Sequence, residues 1–375
     1  MYTFQSINVD SLLRKIESAT ENAMRLACKT GQGCKVGWWA VIGLLWLFAS
    51  TIVYGACTAP PALLARVKNQ PTAENYSQLG SWFGGRKQFA CAADAYSSAV
   101  KIEPDSASLN FMLGLSLFSA GQDNKAIAPL LKSARLNSND VRPHLTLGAA
   151  LDRLKEIEAA ESEWRAALAI DPDSESALDG LSQDLLAAKD YNSVIALLGK
   201  PSGVRVRSPL QSLNLGSAYA AEARLDEAAA VLREGLNTAP DSLQIADQLG
   251  LVLMLMARVE EAYAVFDLAL EKHPRDQHTQ LLYLRVLVTS HSDKAPQLAH
   301  KVLEAYPDNW DALYLNAVLE DRDGDDQQAR THLNRSVARN PNDSQSQEEL
   351  GSVLAKLGDL PGAKEHLEKA IALGD

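Results

Sequence analysis

The acidic run DRDGDD, residues 321–326, is where a calcium loop would be sought in this chain. A helix–loop–helix calcium site needs glycine at the sixth position and glutamate at the twelfth. Counted from Asp321, Gly324 is fourth and His332 twelfth, so the spacing fails. The run is expected to be a solvated turn between two helices, with Gly324 at the bend. His273 and His278 flank Pro274 with no carboxylate cluster nearby, and both are expected in a solvated turn rather than on a metal. The cysteines are Cys28, Cys34, Cys57 and Cys91; no pair has metal-ligand spacing, and four in 375 residues make no disulfide framework. Cys91 falls inside a predicted helix, where a small, buried apolar role is expected. There is no phosphate-cradling glycine loop, no G-x-S-x-G elbow and no H-E-x-x-H. No catalytic, cofactor-binding or metal-binding residue is therefore expected, and the chain is not expected to be an enzyme.

Composition is that of a folded protein, 46% hydrophobic and 22% charged. The net charge of −11, with no basic run, argues against nucleic acid as the main ligand, because neutralising phosphates takes clustered Lys and Arg.

No charge occurs between Lys35 and Arg66. The core of that stretch, VGWWAVIGLLWLFASTIVYGA at 36–56, would make a helix of about 31 Å, enough to cross a bilayer core of about 30 Å. Trp38, Trp39 and Tyr54 fit the two interfaces. The expectation is a transmembrane or signal-anchor helix. Arg25, Lys29 and Lys35 before it, against Arg66 and Lys68 after it, lean towards a cytoplasmic N-terminus and an extracytoplasmic remainder. Three fates stay open: a retained anchor, cleavage and secretion, or a lipoprotein acylated at Cys57, since Gly55-Ala56-Cys57 resembles part of a lipobox. Residues 1–35 read as an N-terminal basic segment, with Met24 an alternative start, and residues 57–72 as a proline-bearing stalk.

The remainder keeps time. Leu-Gly occurs at 79–80, 113–114, 147–148, 215–216, 249–250 and 350–351. The steps are 34, 34, 68, 34 and 101 residues, the last one short of three periods. Twelve positions after the glycine comes Ala92, Ala126, Ala160, Ala228 or Ala262. Four later comes Tyr96, Leu130, Trp164, Leu232 or Phe266, and Pro104, Pro172, Pro240 and Pro274 close rows. A glycine inside a helix costs roughly 1 kcal/mol against alanine, so its return implies a packing demand that overrides propensity. Row four has Ser182 for the glycine and row seven has Tyr283-Leu284 for Leu-Gly, leaving the register uncertain by a residue through rows seven and eight.

This pattern resembles the tetratricopeptide repeat family over residues 73–375. The resemblance implies an all-α, right-handed superhelix (an α-solenoid) of about nine helix pairs, preceded here by the one transmembrane or signal helix. It also implies that the first helices of successive pairs line a concave face. Helical period then puts positions 2, 5, 9, 12 and 13 of each row on that face. The candidate partner-binding residues are Phe111, Leu115 and Phe118 in row two, Arg142, Leu145 and Arg153 in row three, Leu213 in row five, and Leu251 and Met254 in row six. Gln244, Asp247 and Leu255 share the row-six face. Carboxylate-clamp and asparagine-ladder grooves do not fit: Ser77, Phe111 and Leu145 hold the fifth position, and Gln78, Met112 and Thr146 the sixth.

The expected function is a membrane-tethered interaction scaffold whose apolar groove takes a peptide or helix of a protein partner, in envelope assembly or secretion. The alternative is self-association through the last repeat, near Leu367 and Ile371.

Overall fold

The computed structural model describes residues 57–199 and 206–374, and every regular element among them is an α-helix. The chain divides into two units, residues 1–64 and 65–375. The described part of the first unit runs without regular structure to Pro60, whose carbonyl accepts the Leu63 and Leu64 amides as helix α1 (Pro61–Asn69) begins. α1 has no buried residue. The stretch expected as a stalk thus contains a helix. The segments 1–35 and 36–56 lie outside the described residues. No helix among the described residues is long and apolar enough to cross a membrane.

The second unit holds nine helix pairs, here called rows, among the described residues. In order they are α2 (Ala73–Gly84) with α3 (Phe89–Ile102), α4 (Ala107–Ser119) with α5 (Asp123–Leu136), and α6 (Val141–Arg153) with α7 (Ile157–Ile170). Next come α8 (Glu175–Ala187) with α9 (Tyr191–Leu198), α10 (Pro209–Ala221) with α11 (Leu225–Thr238), and α12 (Leu243–Leu255) with α13 (Val259–Lys272). Then follow α14 (Gln277–Thr289) with α15 (Ala295–Ala305), α16 (Trp310–Asp323) with α17 (Asp326–Arg339), and α18 (Ser344–Lys356) with α19 (Leu360–Gly374).

Each row starts on a residue whose side chain can satisfy the first free amides of a helix. The N-caps of the first helices are Thr72, Ser106, Asp140, Ser174, Ser208, Ser242, Asp276, Asn309 and Asp343. All but Ser174 accept a backbone N–H through the side chain. These caps also settle the register. They are spaced by 34 until Asp276, and Asn309 follows after only 33. The missing residue lies in row seven, whose second helix α15 is cut to 11 residues where α13 has 14.

The glycine column solves one packing problem repeatedly. Gly80 lies against the Tyr96 ring and Gly148 against Trp164; a methyl group on either would stand 2.7 Å from ring carbon. Gly114, Gly216, Gly250 and Gly351 face Leu130, Leu232, Phe266 and Leu367 in the same way. Row seven solves it with the volumes exchanged: Leu284 takes the glycine's place and Ala299 that of the large residue, both buried in one cluster.

The link inside each row turns on one left-handed residue. Lys87, Gly121, Lys155, Lys189, Ala223, Ala257, His291, Gly324 and Gly358 all have φ between 56° and 84°. Gly324 is thus the bend expected within DRDGDD, and its neighbour Asp325 caps α17 through Gln328 N.

Packing between rows is layered. First helices of successive rows touch one another, as α8 does α10 and α10 does α12, whereas second helices contact chiefly the first helices on either side. The first helices therefore form the tighter, inner layer of this unit.

Candidate functional site

The inner layer has three regions of different chemistry. In rows two and three, aromatic rings are covered by arginines. Phe111 is 6% exposed and packs with Ala126, Leu130 and Leu147, with Leu115 half-buried beside them. The Arg142 guanidinium lies 4.8 Å above the Phe111 ring. It is held there by two bonds to Asp140, of 2.8 and 2.6 Å, and these hold the Asp140 carboxyl below the usual range. Phe118 is half-buried, with Arg153 3.8 Å over its ring. Arg153 donates to the Phe118 carbonyl at 2.7 Å and pairs with Asp123. Cation–π pairs of this kind hold an arginine over the ring it covers. Of the predicted site residues, Phe111 is core, and Arg142 and Arg153 act as covers.

Rows five and six present a different surface. Leu213 and Met254 are half-buried against the large central cluster, as is Leu145 from row three. Leu251 is 36% exposed and Leu255, one residue beyond Met254, is 68% exposed. No Lys or Arg occupies an inner-face position in rows four to six; the charged residues there are Asp179 and Asp247. Asp179 is satisfied by Ser208 Oγ at 3.0 Å and Gln211 Nε2 at 2.7 Å. Asp247 is 6% exposed and takes one bond on Oδ2, from Thr279 Oγ1 at 3.2 Å, while its buried Oδ1 accepts nothing. Burial pushes the Asp247 carboxyl above its ordinary range, and the His278 ring stands 3.7 Å away, itself 80% exposed.

Rows seven to nine are charged and self-paired. Arg285 pairs with Asp311 and donates to Gln345 Oε1 at 3.0 Å, a reach from row seven to row nine. Lys356 contacts both Asp321 oxygens, at 2.7 and 2.6 Å, and Arg322 donates to the Val288 carbonyl at 2.7 Å. Burial raises the carboxyls of Asp311 and Glu349.

Reasoning from the sequence did not select Asp247, Leu255 or this charged region. Asp247 and Leu255 stand on the expected face, but the burial of Asp247 depends on Thr279 from the next row. The charged region is hidden by the residue lost in row seven. A strict period of 34 assigns Ala312 and Leu315 to positions that Asp311 and Tyr314 hold.

Elsewhere, Asp184 on α8 is buried and accepts from Trp164 Nε1 at 3.1 Å. Burial first, and Asp152 second, push its carboxyl up to about 6. No cluster of three or more His, Cys, Asp or Glu side chains suited to a metal occurs among the described residues. Cys57 and Cys91 are both disulfide-bonded, which departs from the simple buried-thiol role expected of Cys91. A cysteine sulfur carries either a disulfide or a thioether, so acylation at Cys57 requires that bond to be absent.

The Tetratricopeptide repeat model matches residues 83–141, 287–344 and 322–375. The human Protein O-mannosyl-transferase TMTC3 is 22% identical over 262 residues, covering 68% of this chain and 26% of that protein. The Probable biofilm formation methyltransferase WspC of Pseudomonas putida is 29% identical over 105 residues, covering 28% of this chain and 25% of that protein. The chain thus spans about a quarter of the length of the curated relatives it matches. Among solved structures, Pseudomonas aeruginosa pilF is 20% identical with a TM-score of 0.45, covering 55% of this chain and 94% of that one. The Cut9–Hcn1 hetero-tetramer of APC/C is 17% identical with a TM-score of 0.47, covering 71% and 52%. With the matched residues lying on helix pairs that repeat one N-cap, one close joint and one left-handed turn, residues 83–141 and 287–375 carry tetratricopeptide repeats, an all-helical fold that generally serves as a protein–protein interaction scaffold.

Proposed function

We propose that the chain is a membrane-tethered interaction scaffold. Residues 36–56 hold it at a bilayer, and the inner layer of first helices takes a peptide or helix of a protein partner. The observation that carries this reading is the bare apolar surface of α12, where Leu251 and Leu255 are exposed beside half-buried Met254. Row two spends its aromatics on packing and arginine covers, so the expected groove of Phe111 and Phe118 moves to rows five and six.

The disulfide-bonded state of Cys57 and Cys91 supports an oxidising compartment, and hence repeats outside the cytoplasm, where envelope assembly and secretion take place. The reading takes nothing from the transferase and methyltransferase names of relatives of which the chain spans only a quarter.

The test is a cross-linking pull-down from native membranes, comparing the intact chain with a Leu251→Asp, Leu255→Asp variant. Loss of the recovered partner with the variant supports the groove; equal recovery moves the binding surface elsewhere. Carbonate extraction with and without residues 36–56 checks the tether.

A second reading rests on α19, where Leu360 is 68%, Leu367 37% and Ile371 66% exposed. Stacking of a second copy there would show as a mass that rises with concentration and falls back in Ile371→Asp.

A further inference from the structure

We infer that the inner layer of rows five and six takes a cationic amphipathic segment of a partner protein, its apolar side chains on Leu213, Leu251 and Leu255 and a lysine or arginine against Asp247. The inference rests on the reading that this layer binds a partner, and it specifies that partner's chemistry.

Charge complementarity commits the surface to a cation. Flanking regions neutralise themselves: Arg142 and Arg153 are engaged with Asp140 and Asp123, and Arg285 and Lys356 with Asp311 and Asp321. Between them the inner-face positions of rows four to six hold two carboxylates and no Lys or Arg. Of the two, Asp179 has a pair of donors, whereas Asp247 has one hydrogen bond, from Thr279 to Oδ2, the oxygen that faces the His278 ring. The neighbouring His278 ring is 80% exposed, so its position against the carboxylate is open to replacement by a stronger cation. The apolar requirement comes from the same helix. Leu251 and Leu255 lie one helical turn apart, the spacing that an amphipathic helix meets with its own i, i+4 pairs.

The test uses the full chain and three synthetic 18-residue peptides read by fluorescence anisotropy. One is a Leu/Lys amphipathic helix, one carries Glu in place of every Lys, and one has the Leu/Lys order scrambled. The first is expected to bind about tenfold or more tighter than either control. Asp247→Asn should weaken it about tenfold, and Leu255→Ser, at an exposed site the fold tolerates, should weaken it too. Glu368→Gln on α19 should leave it unchanged, which separates a site from general attraction to an acidic protein.

Equal binding of the scrambled or Glu peptide, or an Asp247→Asn variant that binds as the intact chain does, overturns the proposal. So does a dimer by light scattering that Leu255→Asp dissociates, because the occupant is then a second copy. If the native pull-down is lost in Leu251→Asp, Leu255→Asp while peptide charge is irrelevant, the scaffold reading stands and this inference fails. If neither assay responds to row six, both fail.

Discussion

Rows six and seven meet the same packing demand with opposite residues. In row six the first helix gives up a side chain at Gly250, and the second fills the space with Phe266. In row seven the first helix supplies Leu284, and the second recedes to Ala299. What the joint specifies is a summed volume, and either helix can provide it. Interiors packed to crystal density tolerate exchange when the total volume is kept and resist it when it is not.

The comparison can be broken most severely from the row-seven side. Leu284→Gly empties the joint from both helices, and the expected loss is about 3–6 kcal/mol, cavity and helix terms together. Urea unfolding, with amide exchange resolved row by row, would show it, the exchange identifying where the array opens first. Gly250→Leu overfills row six and should cost about 1–3 kcal/mol. Adding Phe266→Ala to Gly250→Leu recreates the row-seven arrangement in row six. The pair should be less damaging than the two single changes added, by about 1 kcal/mol or more. Strict additivity would mean that the two residues do not share one volume.

Smaller effects sharpen the comparison at its turns. Both rows place a non-glycine residue in the left-handed region, Ala257 at φ 58° and His291 at φ 56°. Ala257→Gly and His291→Gly should each raise stability by about 0.5–1 kcal/mol, seen as a higher melting temperature, because glycine adopts this conformation without a Cβ clash.

The finest test is the fifth position, Asp247 in row six and Leu281 in row seven. Burial raises the Asp247 carboxyl in the folded chain, so the proton it binds favours folding. That contribution is complete below the ordinary carboxylate range and is lost as the pH rises through the folded value. Asp247→Asn should therefore flatten the fall in stability over that window and gain on the intact chain towards neutral pH. A parallel pair of pH–stability curves would contradict the assignment.

Much of this fold was legible in the sequence because its rules are local and repeated. A cap, a small residue facing a large one, and a breaking proline recur at fixed intervals, and each works within one row. The site was less legible because its rules act between rows. Phe111 has the type of a groove residue; its ring is closed off by Arg142, 31 positions later. Asp247 has the type of a solvated acid; Thr279 and the packing of the next row bury it. Row seven, with Leu284 in the glycine column, hid where the one missing residue falls, and an α-helical face shifts by about 100° for each such slip. That is why the charged inner face of rows seven to nine did not emerge from the repeat period.

Arg285 holds Asp311 in the next row and Gln345 in the row after that. In mechanical terms it is a cross-brace on a coil spring. Stretching the unit lengthens the rows that touch only their neighbours, while the three that share this side chain resist as one stiff block until the brace lets go. A load applied along the repeats is therefore felt first in the rows outside that block.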